Sequence, residues 1–315
     1  MQKVLVTGIS GFAGSFLAEL LLEKNYTVQG THISDNLSFV DAIKDRLVLK
    51  KLNLLDREET EKVIAELNPD IIFHLAALTS PAESFKEPEK IITNNIAAEI
   101  NLLEAVRNAN ISSRIIITSS AEIYGLVEPS DLPLDENTPM RPGSPYAVSK
   151  IAQDYLGLQY FNSYKMDVIR VRPFNHIGPR QTPQFVVASF AKQIAEIEKK
   201  KIPPVMKVGN LEAKRDFTDV RDMVQAYLAI AEKGQSGDVY NAGSGKSHKI
   251  SQILDSLLSL STEHIDTEID PALLRPSDVP DIRSDNTKIE TLGWKPEIKL
   301  EQTLKDTLDY WRNNV

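Results

Sequence analysis

The eight residues TGISGFAG, positions 7–14, constrain what this chain can fold into more than any other stretch. They set glycines at Gly8, Gly11 and Gly14, after the apolar run KVLVT (3–7) and at the head of GFAGSFLAELLLEK (11–24), whose apolar residues recur at helical spacing. A strand that ends in a glycine-rich turn and re-enters a helix begins a βαβ unit. Glycine lets the backbone approach a pyrophosphate closely, and a helix N-terminus offers it unpaired N–H groups. Gly8, Gly11, Phe12, Ala13 and Gly14 are therefore the first cofactor-binding candidates.

The same alternation continues through the first half of the chain. Strand patterns fall at TVQGT (27–31), RLVLKKLNL (46–54), DIIFHLA (70–76), RIIIT (114–118) and MDVIRVR (166–172). Helical patterns fall near 57–67, 89–109 and 145–164. The strands are nearly continuous in apolar residues, as a parallel sheet covered on both faces requires. The expected class is α/β: a Rossmann-type doubly wound parallel sheet with a smaller C-terminal α/β lobe for substrate. The sheet domain is placed at 1–174, rejoined by about 219–245, and the lobe at 175–218 and about 246–315. PFNHIGPRQTP (173–183) reads as a loop, followed by helices at 183–199, 219–232, 250–260 and 300–313 and short strands at 205–208, 238–241 and 265–269. The charge run EIEKKK (196–201) reads as a solvated helix end.

Composition removes several function classes. The chain has no cysteine, so disulfides, thiolate metal sites and cysteine nucleophiles are out. Its formal net charge is -8, which speaks against a phosphate-backbone binder and hence against nucleic acid. No apolar run reaches membrane-spanning length, no secretory leader pattern opens the chain, and the five histidines show no metal-ligand spacing. A cytoplasmic enzyme without a metal is expected.

Two further motifs carry chemistry. In TSSAEIYG (118–125), Ser120 and Glu122 stand two residues apart after an apolar run, so on an extended strand end both would point the same way. In SPYAVSK (144–150), Tyr146 and Lys150 are spaced i, i+4, on one face of a helix. A phenol ionises near pH 10, and a nearby ammonium would favour its phenolate. Tyr146 would then exchange a proton with a hydroxyl or carbonyl oxygen while a hydride moves, with Ser120 bonded to the same oxygen. The second strand ends near Gly30-Thr31-His32 with Asp35 late and no Arg or Lys adjacent, which leaves NADP(H) or NAD(H) open with a lean to NADP(H). GSGKS (243–247) mimics a phosphate loop, but the required earlier glycine is Tyr240, so nucleotide hydrolysis is not expected.

With these motifs in hand, the chain resembles the extended short-chain dehydrogenase/reductase family of nucleotide-sugar epimerases, dehydratases and reductases. The resemblance runs through TGISGFAG, FHLAA (73–77), NNIAAEINLLEA (94–105), SSAEIYG, the Tyr–Lys pair, RPFNHIGP (172–179), RDFTDVRD (215–222) and YNAGSG (240–245). GNLEAKRDF (209–217) and PALLRPSDVP (271–280) are similar to the branch that acts on GDP-mannose derivatives. The resemblance implies a catalytic set of Ser120, Tyr146 and Lys150. It implies cofactor contacts from Asn53, Leu54, Leu75, Ala76, Ala77, Asn95, Tyr146 and Lys150, with Asn53 standing where the family usually has Asp. It implies substrate contacts from Ser120, Glu122, Tyr146, Asn175, Arg215, Arg275 and Asp278, and leaves His176 between substrate contact and loop packing. The implied partner is a GDP-sugar, and the implied assembly is a homodimer through the helices near 89–109 and 145–164. The implied reaction is hydride transfer from NAD(P)H to C4 of GDP-4-keto-6-deoxy-D-mannose, giving GDP-D-rhamnose. Glu122 sits where the dehydratases of the family carry an acidic residue, so a 4,6-dehydratase is the alternative. A C4 epimerase and, more remotely, a cofactor-sensing scaffold also stay open.

Overall fold

In the computed structural model, residues 1–274 and 279–315 are described. In chain order these are β1 (Lys3–Thr7), α1 (Phe12–Glu23), β2 (Thr27–His32), β3 (Val48–Lys51), α2 (Arg57–Leu67), β4 (Ile71–His74), α3 (Pro81–Ser84), α4 (Pro88–Asn108) and β5 (Arg114–Thr118). Then come α5 (Pro145–Tyr164), β6 (Asp167–Pro173), β7 (Asn175–Ile177), α6 (Val186–Glu198), β8 (Val205–Val208), β9 (Lys214–Asp219) and α7 (Val220–Lys233). The chain ends with β10 (Val239–Ala242), β11 (Ser247–Lys249), α8 (Ile250–Leu258), β12 (Asp266–Ile269), β13 (Asp281–Ile282), α9 (Thr287–Glu290) and α10 (Leu300–Asn314).

Seven strands form one parallel sheet in the order β10-β6-β5-β4-β1-β2-β3. Alternation along each strand splits its residues between two cores. Val4 and Val6 of β1 join Leu17 and Leu21 of α1 and Met223, Tyr227 and Ile230 of α7. Leu5, between them, faces the other way with Val63 of α2 and Leu102 and Leu103 of α4. Each such Leu or Ile, once buried, contributes about 2 kcal/mol against exposure. The strand order reverses between β1 and β4, so a crevice opens over their C-terminal ends. The doubly wound α/β class expected from the sequence is the one observed.

After β6 the chain builds smaller sheets. β9 pairs with β7, β11 and β13, while β8 pairs with β12. A third core of Val187, Phe190, Ile194, Met206, Leu254 and Leu308 lies among α6, α8 and α10. The strands β7, β9, β11 and β13 fall in stretches that read from sequence as loop or as nothing regular. Their residues NHI, KRDFTD, SHK and DI carry neither period-2 alternation nor an apolar run. The charge run 196–201 is only partly a solvated end: Glu198 accepts from Arg312 Nη2 at 2.7 Å and ties α6 to α10.

Candidate active site

The glycine turn and the loop after β4 meet across the crevice. Gly8 has φ +71°, and a Cβ there would lie 3.1 Å from Cα of Ala76. A Cβ on Gly14 would collide with the carbonyl oxygen of Gly8 and lie 3.0 Å from Cα of Ile9. The cap of α1 is Gly11, with no side chain closing off the first-turn N–H groups. Thus Gly8, Gly11 and Gly14 leave a shallow cradle at a helix N-terminus, with Phe12 and Ala13 half-buried in its first turn. That cradle fits a pyrophosphate.

Leu75 and Ala76 are held to this turn by one hydroxyl. Thr7 Oγ1 accepts from the N–H of Leu75 at 3.2 Å and of Ala76 at 3.1 Å. With both lone pairs used, its proton is left for His74 Nδ1, 3.0 Å away. His74 is therefore the neutral tautomer with its proton on Nε2, which is buried and makes no hydrogen bond. Burial, and then the positive charge of Lys150, push the imidazole pKa down to about 3. Ala77 follows half-buried along the same loop. Asn95 is fully buried: it accepts from Leu78 N at 2.8 Å and donates to Leu78 O and Ser149 Oγ, each at 3.0 Å. Its polar groups are spent clamping the loop to α5.

The helix α5 is started by Ser144, whose Oγ accepts from Ala147 N at 3.1 Å, and by Pro145 in the first turn. That start puts Tyr146 and Lys150 on the same buried face, at 7% and 3% exposure. Their relation differs from expectation. Burial pushes the Tyr146 phenol well above its ordinary range, the Ser120 hydroxyl draws it back in part, and the charge of Glu122 pushes it up again. The Lys150 ammonium donates instead to Gln153 Oε1 at 2.6 Å. The phenol is therefore held protonated, not driven toward the phenolate. Burial brings the Lys150 ammonium down to about 8, opposed by the charges of Glu99 and Asp154.

The Ser120–Glu122 geometry also differs. The strand β5 stops at Thr118, and Ser120 caps a single 3-10 turn, Ala121–Ile123, by accepting from Glu122 N at 3.2 Å. Glu122 therefore does not project from an extended strand beside Ser120. It is half-buried on the turn, near enough for its charge to act on Tyr146.

At the other end of the crevice, Asp35 pairs with Lys51 Nζ at 2.7 Å. The sequence showed no cation near Asp35, because Lys51 arrives through strand pairing: it lies opposite His32 in the β2–β3 register. Leu54 is buried, its carbonyl bonded by Asn101 Nδ2 at 2.8 Å, and Asn53 beside it is exposed. Asn175 opens β7, half-buried, and His176 stacks flat on Phe12 with ring centroids 5.8 Å apart. Burial lowers the His176 pKa. Arg215 is 9% exposed and donates to the carbonyls of Lys214 at 2.8 Å and Val279 at 2.6 Å. Arg275 and Asp278 lie outside the described residues. Sequence reasoning also passed over Arg180, which donates to Ser15 Oγ at 3.1 Å and to Glu19 Oε1 at 2.8 Å, fastening the 173–183 loop to α1.

The GSGKS decoy has a structural explanation. The N–H groups of Ser244 (2.7 Å) and Gly245 (3.0 Å) and both donors of Ser284 (3.0 and 2.7 Å) close on the Asp216 carboxylate. An anion of the chain itself fills that loop.

Residues 5–307 match the family described as GDP-mannose 4,6 dehydratase. The chain is 34% identical over 315 residues to the GDP-6-deoxy-D-mannose reductase of Pseudomonas aeruginosa, covering all of this chain and 98% of that protein. Among solved structures, RMD from Pseudomonas aeruginosa complexed with NADPH superposes with a TM-score of 0.87 at 32% identity, over 100% of both chains. The UDP-glucose 4-epimerase of Thermus thermophilus in complex with NAD gives a TM-score of 0.89 at 28% identity, over 99% of this chain and 100% of that one. With its turn, its Ser–Tyr–Lys set and these full-length likenesses together, the chain belongs to the GDP-mannose 4,6 dehydratase family of extended short-chain dehydrogenases/reductases.

Proposed function

We propose that this protein is an NAD(P)H-dependent reductase of a GDP-bound 4-keto-6-deoxy sugar, converting GDP-4-keto-6-deoxy-D-mannose to GDP-D-rhamnose. The observation that carries this reading is the end-to-end likeness, 34% identical over 315 residues, to a GDP-6-deoxy-D-mannose reductase. In that reaction the buried phenol of Tyr146 gives a proton to the sugar oxygen.

The glycine cradle would hold the pyrophosphate of a nicotinamide cofactor, with Leu75, Ala76 and Ala77 lining its path, and the bound cofactor would supply the hydride. Lys51 can meet a 2′-phosphate once it releases Asp35, which favours NADP(H). At the reacting centre Tyr146 donates its proton to the C4 oxygen, Ser120 polarises that oxygen, and Lys150 restrains the charge left on the phenol. Arg215, with Arg275 and Asp278, holds the GDP moiety, and Asn175 lies under its diphosphate. Glu122 bonds sugar hydroxyls and takes no carbon-bound proton. The protein works as a homodimer through α4 and α5.

Two parallel reactions test this. In one, protein and NADPH meet GDP-4-keto-6-deoxy-D-mannose; in the other, protein and NADP meet GDP-D-mannose. NADPH loss in the first alone supports the reductase. A keto product in the second, without net NADPH use, would make the protein a 4,6-dehydratase and Glu122 its base.

A further inference from the structure

The turn that carries Ser120 and Glu122 is fastened on both sides. Before it, Ser119 Oγ donates to the carbonyl of Lys150 on α5 at 3.2 Å. After it comes Tyr124, fully buried at the C-cap of the turn. Its hydroxyl sits between two neighbouring strands of the main sheet. It accepts from Arg172 Nη1 of β6 at 3.0 Å and donates to Asn241 Oδ1 of β10 at 2.7 Å. Arg172 and Asn241 lie opposite each other in the β6–β10 register. Burial pushes the Tyr124 phenol up to about 12, so it stays a donor. The Arg172 guanidinium, 3% exposed, reaches on to α5. Its Nε and Nη2 donate to the Asp154 carboxylate at 2.8 and 3.1 Å, and its Nη1 also donates to the Glu136 carbonyl at 2.8 Å. Asp154 stands one helical turn beyond Lys150 and two beyond Tyr146, is 0% exposed, and accepts from Arg170 Nη1 as well, at 3.0 Å. A buried ion pair of this kind adds little stability over apolar residues of similar volume. What it adds is direction. A planar guanidinium bonded at all three nitrogens is held in one orientation, whereas a lysine ammonium is a point charge on a flexible stem.

We propose that Arg172 is a positioning residue for the reacting centre: with Asp154 on one edge and Tyr124 on the other, it fixes the Ser120 hydroxyl relative to Tyr146 on α5. This rests on the reading of Ser120 and Tyr146 as the pair that meets the sugar oxygen, and one arm of its test needs no substrate. Tyr124→Phe keeps the ring and removes the bridging hydroxyl. Arg172→Lys keeps the charge and removes the planar fork. The amides of Glu122, Ile123 and Tyr124 are all bonded within the turn. In hydrogen exchange on the ligand-free protein they should quicken in either variant by about tenfold or more beyond any change at the amides of β1, since the opening is local. In the reductase assay each variant should lose roughly 10 to 10² in kcat, as a slight misplacement costs, with KM for NADPH and for the sugar nucleotide little changed. Either variant combined with Ser120→Ala should turn over no more slowly than Ser120→Ala alone, because the clamp acts through that hydroxyl. Losses that multiply in the double variants would overturn the proposal. Exchange that quickens no more in the turn than in β1 would overturn it too, and leave Arg172 a support of the fold only. If Tyr124→Phe does not fold, Arg172→Lys decides by the same two readings. Local quickening in a protein whose wild type shows no reductase activity would leave the clamp standing and contradict the assigned substrate.

Discussion

Acid should destabilise this protein through His74, and the size of the effect follows from its surroundings. The folded imidazole stays neutral down to about 3, whereas an unfolded histidine protonates near the ordinary value of about 6.5. Above that value both states are neutral and nothing is lost. Between the two values only the unfolded chain binds the proton, so stability drops as pH falls. At about pH 5.5 the loss amounts to about 1.4 kcal/mol, and it steepens toward a full proton per molecule below that. The structural cause is explicit: His74 Nδ1 must accept from Thr7, whose lone pairs already hold Leu75 N and Ala76 N. Urea unfolding of wild type and His74→Asn at about pH 7.5 and about pH 5.5 isolates the term. Asn keeps an acceptor toward Thr7 and does not titrate. Wild type should lose about 1.4 kcal/mol more than the variant across that interval. Equal losses in both proteins would refute the assignment of His74 as a buried neutral base.

Three further outcomes are expected. Tyr146→Phe should bind cofactor and substrate normally yet lose roughly 10²–10⁴ in kcat, the usual worth of a positioned proton donor; near-normal turnover in a stopped-flow NADPH assay would remove Tyr146 from the mechanism. Gly14→Ala should weaken NADPH binding, read by fluorescence titration. Its methyl meets the Gly8 carbonyl oxygen and the Ile9 backbone, a clash costing about 1–3 kcal/mol that outweighs the gain in helix propensity of about 1 kcal/mol. Lys51→Met should lower kcat/KM for NADPH several-fold and leave that for NADH unchanged; an equal effect on both coenzymes would take Lys51 out of phosphate recognition.

The parts of this account legible in the sequence are those that a local pattern encodes. The glycine turn, the apolar strands of the main sheet and the helical pattern at 145–164 each announce themselves within a short stretch. What was not legible depends on partners distant in the chain. Lys51 reaches Asp35 only because β3 lies beside β2, and Asp216 enters the GSGKS loop from another strand. The polar strand KRDFTD forms because β7, β11 and β13 gather on it, not because its own pattern is that of a strand. The charge state of Tyr146 followed the same rule. The i, i+4 spacing puts it on one buried helix face with Lys150, but burial raises the phenol's pKa and the lysine ammonium donates to Gln153. Glu122 was misplaced because a serine cap, not strand continuation, directs the chain after Thr118.

The central claim is that hydride passes from the nicotinamide to C4 of the sugar while Tyr146 supplies the proton. The most direct measurement supplies GDP-4-keto-6-deoxy-D-mannose with NADPH deuterated at the transferred position and locates the label in the product by NMR. The account predicts deuterium bonded to C4, one for each NADPH consumed. A product carrying no deuterium at C4, or a label at C6, would contradict it.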